Sequence, residues 1–229
     1  HLEIMVNADL LGHENEVLRQ AQTIAKLKDT DQPIYERGTG FENMRKMAAY
    51  FLALDTGDFT DLQSCAGFRS RALQLVYQAD CIAFAHDPVQ GRALTDAALA
   101  TGTLTADALH LARYDIAAMA ADWMDAISEA RAYQTALAAI DPPGHVFRTR
   151  AEPPIAIALA QTGDFGAAHR VIDATPADCY LCLRIRGRID AAEKNYGGAL
   201  FWFTRAVRAG SSIPFAYADW GSMLLAEGK

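Results

Sequence analysis

The chain carries one short pattern twice. Thr162-Gly163-Asp164-Phe165-Gly166-Ala167-Ala168 and Glu193-Lys194-Asn195-Tyr196-Gly197-Gly198-Ala199 each set an aromatic three residues before an alanine, and the two aromatics stand 31 apart. The last residues, Leu224-Leu225-Ala226-Glu227-Gly228-Lys229, read as the same turn again, with the next aromatic expected just beyond the end at a spacing of 34. A pattern recurring at such a period means units that cannot bury their apolar faces alone. They build a core by stacking on their neighbours.

The segments between turns are helical in character. Ala, Leu, Arg and Glu dominate and strand-type alternation of Val, Ile and Thr is nearly missing, so the chain is expected to be more than about 60% helix with essentially no sheet. Breakers fall at Asp31 to Gly40, Thr56-Gly57-Asp58, Asp87-Pro88, Thr101-Gly102-Thr103, Asp141-Pro142-Pro143-Gly144, Thr162-Gly163-Asp164, Thr175-Pro176 and Gly210 to Pro214. Helices of about 10 to 20 residues fit between them. Short helices on short turns pack as antiparallel neighbours.

From Ala177 to Gly210 the residue series becomes specific. Leu183 and Gly187 lie on a first helix, and Tyr196, Ala199, Phe203 and Ala206 on a second. Tyr217, Trp220, Gly221 and Leu224 then begin the first-helix series again. This resembles the tetratricopeptide repeat, a 34-residue helix-turn-helix unit with small and aromatic residues at set places. Upstream the pattern is looser: Gly57-Asp58-Phe59 heads one helix, Ala93, Ala97 and Ala100 mark another, and Trp123, Ala126, Ala130 and Tyr133 a third. The steps from Phe59 through Gln90, Trp123 and Phe165 to Tyr196 are 31, 33, 42 and 31, and the long one contains the Pro142-Pro143-Gly144 break.

The resemblance implies an all-α fold, a right-handed α-solenoid of antiparallel helix pairs with irregular N-terminal helices. Residues 1–40 are expected to form an N-terminal helix, near Glu14 to Leu27, and a linker, either a cap or an unrelated helix. Residues 41–141 form a degenerate helical-repeat region, and 142–229 hold the well-matched repeats, the last lacking its second helix. The chain opens His1-Leu2-Glu3 and stops in mid-pattern, so it is expected to continue beyond Lys229. The terminal helix would then expose an apolar face around Tyr217, Trp220 and Leu224, a route to self-association.

Charge narrows the partners. A net charge of -7 with pI near 5.3 argues against binding a phosphate backbone, so no nucleic acid is expected. No apolar run approaches the roughly 20 residues of a membrane-spanning helix, so no membrane insertion is expected either. Four cysteines are too few to build the fold from disulfides, which favours a reducing, cytoplasmic setting.

Candidate chemistry is sparse. Cys179 and Cys182 form Cys-x-x-Cys without a second ligand pair, and with Cys65 and Cys81 they read as buried thiols. The six histidines are scattered, none in a nucleophile setting. Gly38-Thr39-Gly40 reads as a turn and Gly197-Gly198 as close helix packing. Asp115, Asp122 and Asp125 could gather carboxylates at a helix junction, or simply solvate helix ends. Trp123, Trp202 and Trp220 fall in apolar series and read as packing. No catalytic residue, cofactor or metal is expected.

Arg184 and Arg188 are the exception. Four residues apart, they share a helix face, while Arg186 between them points elsewhere. In the family the first helix of each unit lines a concave groove, so the resemblance puts Arg184 and Arg188 in that groove, joined by Arg150 or, less securely, Arg148. An arginine fork suits a carboxylate. The family's carboxylate clamp also uses asparagines and lysines that are absent here, so that specific function is not carried over. The other reading pairs these arginines with Asp190 and Glu193 on the surface. The function implied is a non-enzymatic protein-protein interaction scaffold binding a peptide or partner protein, possibly an acidic one. A regulatory segment of a larger signalling protein and a helical enzyme with its activity in the N-terminal half are the alternatives.

Overall fold

The computed structural model describes residues 5, 8, 12–27, 45–49, 52–53, 71–84, 86–140 and 144–229, and all statements below concern these. They contain no strand. The helices are α1 (Glu14–Lys26), α2 (Arg71–Phe84), α3 (Pro88–Leu99), α4 (Ala106–Met119), α5 (Trp123–Ile140), α6 (His145–Arg150), α7 (Glu152–Gln161), α8 (Phe165–Asp173), α9 (Tyr180–Ala192), α10 (Tyr196–Ala209) and α11 (Pro214–Ala226). The segment headed by Gly57-Asp58-Phe59, the Asp31 to Gly40 breaker, Gly38-Thr39-Gly40, Cys65 and the prolines at 142 and 143 lie outside the described residues.

Helices adjacent in sequence pack on one another: α2 on α3, α4 on α5, α7 on α8, and α9 on α10. One turn design joins every such pair. The residue before the turn's end has positive φ (His86 68°, Ala121 55°, Gly163 89°, Lys194 66°, and Gly228 84° after α11). The next N–H then reaches back to a carbonyl five residues earlier, at 3.0 Å for Asp87 to Ile82, 2.9 Å for Asp122 to Ala117, 3.0 Å for Asp164 to Leu159, 2.8 Å for Asn195 to Asp190 and 2.9 Å for Lys229 to Leu224. That bond closes the first helix with a left-handed residue. The residue after the left-handed one, whose N–H makes that bond, opens the second helix with its side chain, as Asp87 accepts from the Gln90 N–H, Asp164 from Ala167 and Asn195 from Gly198.

The same turn geometry recurs in the half whose residue pattern is weak. It also corrects the register there: the helix start equivalent to Trp123, Phe165 and Tyr196 is Pro88, two residues before Gln90. A proline serves because the first helical N–H has no partner to lose. In each second helix the fourth residue is small and buried (Gly91, Ala126, Ala168, Ala199). The eighth, one turn on, is fully enclosed (Thr95, Ala130, Ile172, Phe203). Gly187 of α9 makes room for the last of these, since a Cβ there would stand 2.6 Å from the Phe203 ring. The interval of 42 between Trp123 and Phe165 accommodates the extra short helix α6.

A single apolar core runs from Tyr114 and Ala117 of α4 through α5, α7 and α8 to Ile185 and Ile189 of α9. Helix α7 is its centre, buried on all sides from Pro153 to Ala160. At the N-terminus, α1 turns one face to the helical residues 45–49 and 52–53 through Val17, Ala21 and Ile24. Its Leu18 packs instead with Tyr180, Leu183, Ala206, Ile213 and Ala216. The first helix thus lies against α9, α10 and α11, far along the chain.

In α11, Trp220 and Leu224 are partly buried against Ala199, Phe203 and Met223, whereas Tyr217 is exposed as the sequence suggested. What remains open on α10 and α11 is Leu200, Phe201, Tyr217 and Leu225, the last 77% exposed. Trp123 and Trp202 also pack into apolar clusters. No helix of the described residues is long and apolar enough to cross a membrane.

Candidate functional site: a polar row on the first helices

Asp80 of α2, Asp115 of α4, Ile157 of α7 and Arg188 of α9 occupy one structural place, seven residues before the residue that opens the second helix. Three of the four are ionisable, which the core-building rule at such a place would not supply.

At the N-terminal end the row is acidic. Burial pushes Asp80 well above the usual carboxylate range, and the charge of Asp115 adds to that; Oδ1 of Asp80 has no hydrogen-bond partner among the described residues. Asp115 is pushed up to about 7 by burial. Two carboxyls that each raise the cost of the other's charge favour a form in which at least one is protonated. Of the acids singled out in the sequence, only Asp115 belongs here. Asp122 accepts from the Asp125 N–H at 3.2 Å, and Asp125 pairs with Arg92 at 2.6 Å, so both are helix-end surface groups.

At the C-terminal end the row is basic. Arg184 Nε donates to Asp219 Oδ2 of α11 at 2.5 Å, and its guanidinium lies over the Phe215 ring at 5.1 Å. Arg188 reaches the other oxygen of the same carboxylate only at 4.0 Å. Burial pulls Arg188 below the usual guanidinium range, and Asp219 only partly offsets it. Two arginines therefore share one carboxylate in a half-buried setting. Tyr114, buried on α4, feels both guanidinium charges. That links the two ends of the row.

Arg184 and Arg188 thus have Asp219 as partner, in place of Asp190 and Glu193. Arg186, turned the other way, is structural: its guanidinium donates to the carbonyls of Ile172 (2.7 Å), Thr175 (2.9 Å) and Pro176 (3.2 Å), and it lies over Trp202. It closes the end of α8. Arg150 ends α6 and is half-buried, whereas Arg148 is exposed. Asp219, on the following unit, is the charged group brought to the arginine pair. Its partnership spans 35 residues, close to one repeat, which was the sequence signal for it.

The cysteines require a correction. Cys179 and Cys182 are joined as a disulfide, and Cys81 is disulfide-bonded as well, so none of the three is a free thiol. Cys179 is not inside the helix but opens it, with extended backbone that turns its Sγ over the first turn, where it accepts the Cys182 N–H at 3.2 Å. Gly12 packs directly on that sulfur, and its carbonyl accepts the Tyr180 N–H at 3.1 Å.

One trio has metal-ligand character: His169, Asp190 and Glu193 hold one donor atom each within 4.8 Å of one another. No protein-family model, curated protein or solved structure matches this chain.

Proposed function

We propose that the chain is a non-enzymatic interaction scaffold of the tetratricopeptide kind, a right-handed solenoid of antiparallel helix pairs whose concave face is lined by the first helices. The turn that recurs at Asp87, Asp122, Asp164, Asn195 and Lys229, with a small residue at a fixed place after each of the first four, supports that reading. The partner is a protein or peptide segment bearing a carboxylate. It binds at Arg184 and Arg188, with Arg150 at the edge of the same face.

The observation that carries this is the unequal pairing of the two arginines. Arg184 takes Asp219 at 2.5 Å, which leaves Arg188 with a carboxylate at 4.0 Å and a cost of burial that Asp219 only partly offsets. A guanidinium in that state gains from an external carboxylate presented in its own plane. A buried charge left short of partners is otherwise a penalty for the fold.

The test is a peptide array displaying acidic segments and free C-terminal carboxylates, read with the parent chain and with Arg184→Glu/Arg188→Glu. The double variant is expected to lose at least about 2 kcal/mol of binding while helix content stays unchanged. Reversal of the exposed Arg131 is expected to do much less. Added salt should weaken binding by the parent, since such charges are screened over about 8 to 10 Å. Equal binding by parent and double variant would refute the assignment.

A further inference from the structure

His169, Asp190 and Glu193 lie at the junction of two consecutive helix pairs, His169 on α8 and the carboxylates at the end of α9. His169 Nε2 stands 2.9 Å from Glu193 Oε2 and 3.9 Å from Asp190 Oδ1, and all three donor atoms fall within 4.8 Å of one another. Zinc with nitrogen and oxygen ligands at about 2.0 to 2.2 Å places tetrahedral donors roughly 3.3 to 3.6 Å apart. The present separations bracket that value.

The site is anchored on one side and adjustable on the other. Asp190 is only 5% exposed, and the Asn195 side chain hydrogen-bonds to its carboxylate. Gly198 leaves room for that carboxylate and the Asn195 amide, both of which a side chain at 198 would strike. Asn195 is in turn fixed by its own N–H to the Asp190 carbonyl at 2.8 Å and by accepting from the Gly198 N–H at 3.2 Å. That is the outer support a ligating carboxylate needs. His169 and Glu193 are part-exposed, so small changes of rotamer bring their donors onto an ion.

We propose that His169, Asp190 and Glu193 form a binding site for a divalent first-row transition ion, zinc by the match of one imidazole and two carboxylates, that staples α8 to the end of α9. Mixed imidazole and carboxylate donors select such an ion over calcium or magnesium, which prefer oxygen alone. Three side chains leave at least one coordination position open to water or to a donor from a bound partner. No local motif announces this trio, because His169 is 24 residues from Glu193 in sequence.

The test is titration of the whole chain with zinc chloride by calorimetry, with any free thiols blocked by iodoacetamide so that sulfur cannot contribute. One equivalent is expected to bind with micromolar affinity, and His169→Ala and Glu193→Gln should each lower that affinity at least about tenfold, as disturbed metal shells do. Glu193→Gln keeps side-chain volume and the ability to hydrogen-bond His169, so a loss there does not come from a loss of fold. His86→Ala, at an exposed turn, should bind as the parent does. Cobalt(II) should give visible d–d absorption with the parent and not with the two ligand variants. Absence of saturable zinc binding, or zinc binding retained by either ligand variant, overturns the site.

Discussion

The same position in the repeat carries carboxyls at one end of the molecule and a guanidinium at the other. In α2 and α4 it is Asp80 and Asp115, buried and held toward their neutral forms. In α9 it is Arg188, with Arg184 one turn before it and Asp219 between them. The carboxyls can shed their charge when buried; arginine cannot, because its pKa is too high. The acidic end therefore meets the cost of burial by protonation, and the basic end needs a counter-charge. Only the basic end keeps its charge when buried.

The largest effect should come from the arginine that does not belong to this row. Replacing Arg186 by Met removes three charge-assisted bonds from the carbonyls at and just after the end of α8, of which Ile172 keeps the Thr175 N–H and hydroxyl as donors, and bonds of this kind are worth about 1.5 to 3 kcal/mol each. Chemical denaturation is expected to show a loss of about 3 kcal/mol or more. An unchanged midpoint would erase the distinction between a structural Arg186 and a ligand-facing pair.

Next is the acidic end. The Asp115 carboxyl titrates near 7 in the folded chain against 3.8 for an ordinary aspartate, so folding binds its proton more tightly. Its stabilising contribution is present below pH about 4 and is lost as pH rises to and through about 7. Asp115→Asn should flatten this fall and raise stability at pH 8 by on the order of 1 to 3 kcal/mol. Denaturation midpoints across pH 4 to 8 would check it. A variant that is less stable than the parent at pH 8 would show that the charge of Asp115 is satisfied.

Gly187→Ala tests the packing beneath the basic end, since its new methyl meets the fully buried ring of Phe203 at 2.6 Å. Overpacking of this kind costs about 1 to 3 kcal/mol, readable as a lower melting temperature. Gly221→Ala, at the same place in α11 but with nothing near its added methyl, should change little beyond a slight gain in helix propensity.

A loss of no more than about 1 to 2 kcal/mol is expected for Asp219→Asn, which removes the counter-charge of two half-buried guanidiniums but leaves an amide oxygen to accept from Arg184. It should nevertheless sharpen the comparison most. With its internal competitor gone, the Arg184–Arg188 pair should bind acidic peptides more tightly than the parent does. Weaker binding in a titration would mean that Asp219 orients the arginines for the partner.

By itself, the sequence determined the all-helical character, the turn places at Asp164 and Asn195, and the common face of Arg184 and Arg188. These follow from local rules: propensity, capping side chains and the helical period. In the N-terminal half the same turn was hidden, because Pro88 stands where the other units have an aromatic. The left-handed residue there is His86 or Ala121, with no glycine to mark it. Only tertiary structure decided the rest. The partnership of Asp115 with Asp80, of Arg184 with Asp219, and of His169 with Asp190 and Glu193 each joins residues on different helices. Such pairs depend on how units stack, which spacing within one helix does not encode. The disulfide of Cys179 was missed for a related reason, since its sulfur turns onto Cys182 only because the helix begins after it. The docking of α1 on α9, α10 and α11 was equally illegible: an amphipathic helix shows that it has an apolar face, and the rest of the fold determines what covers it.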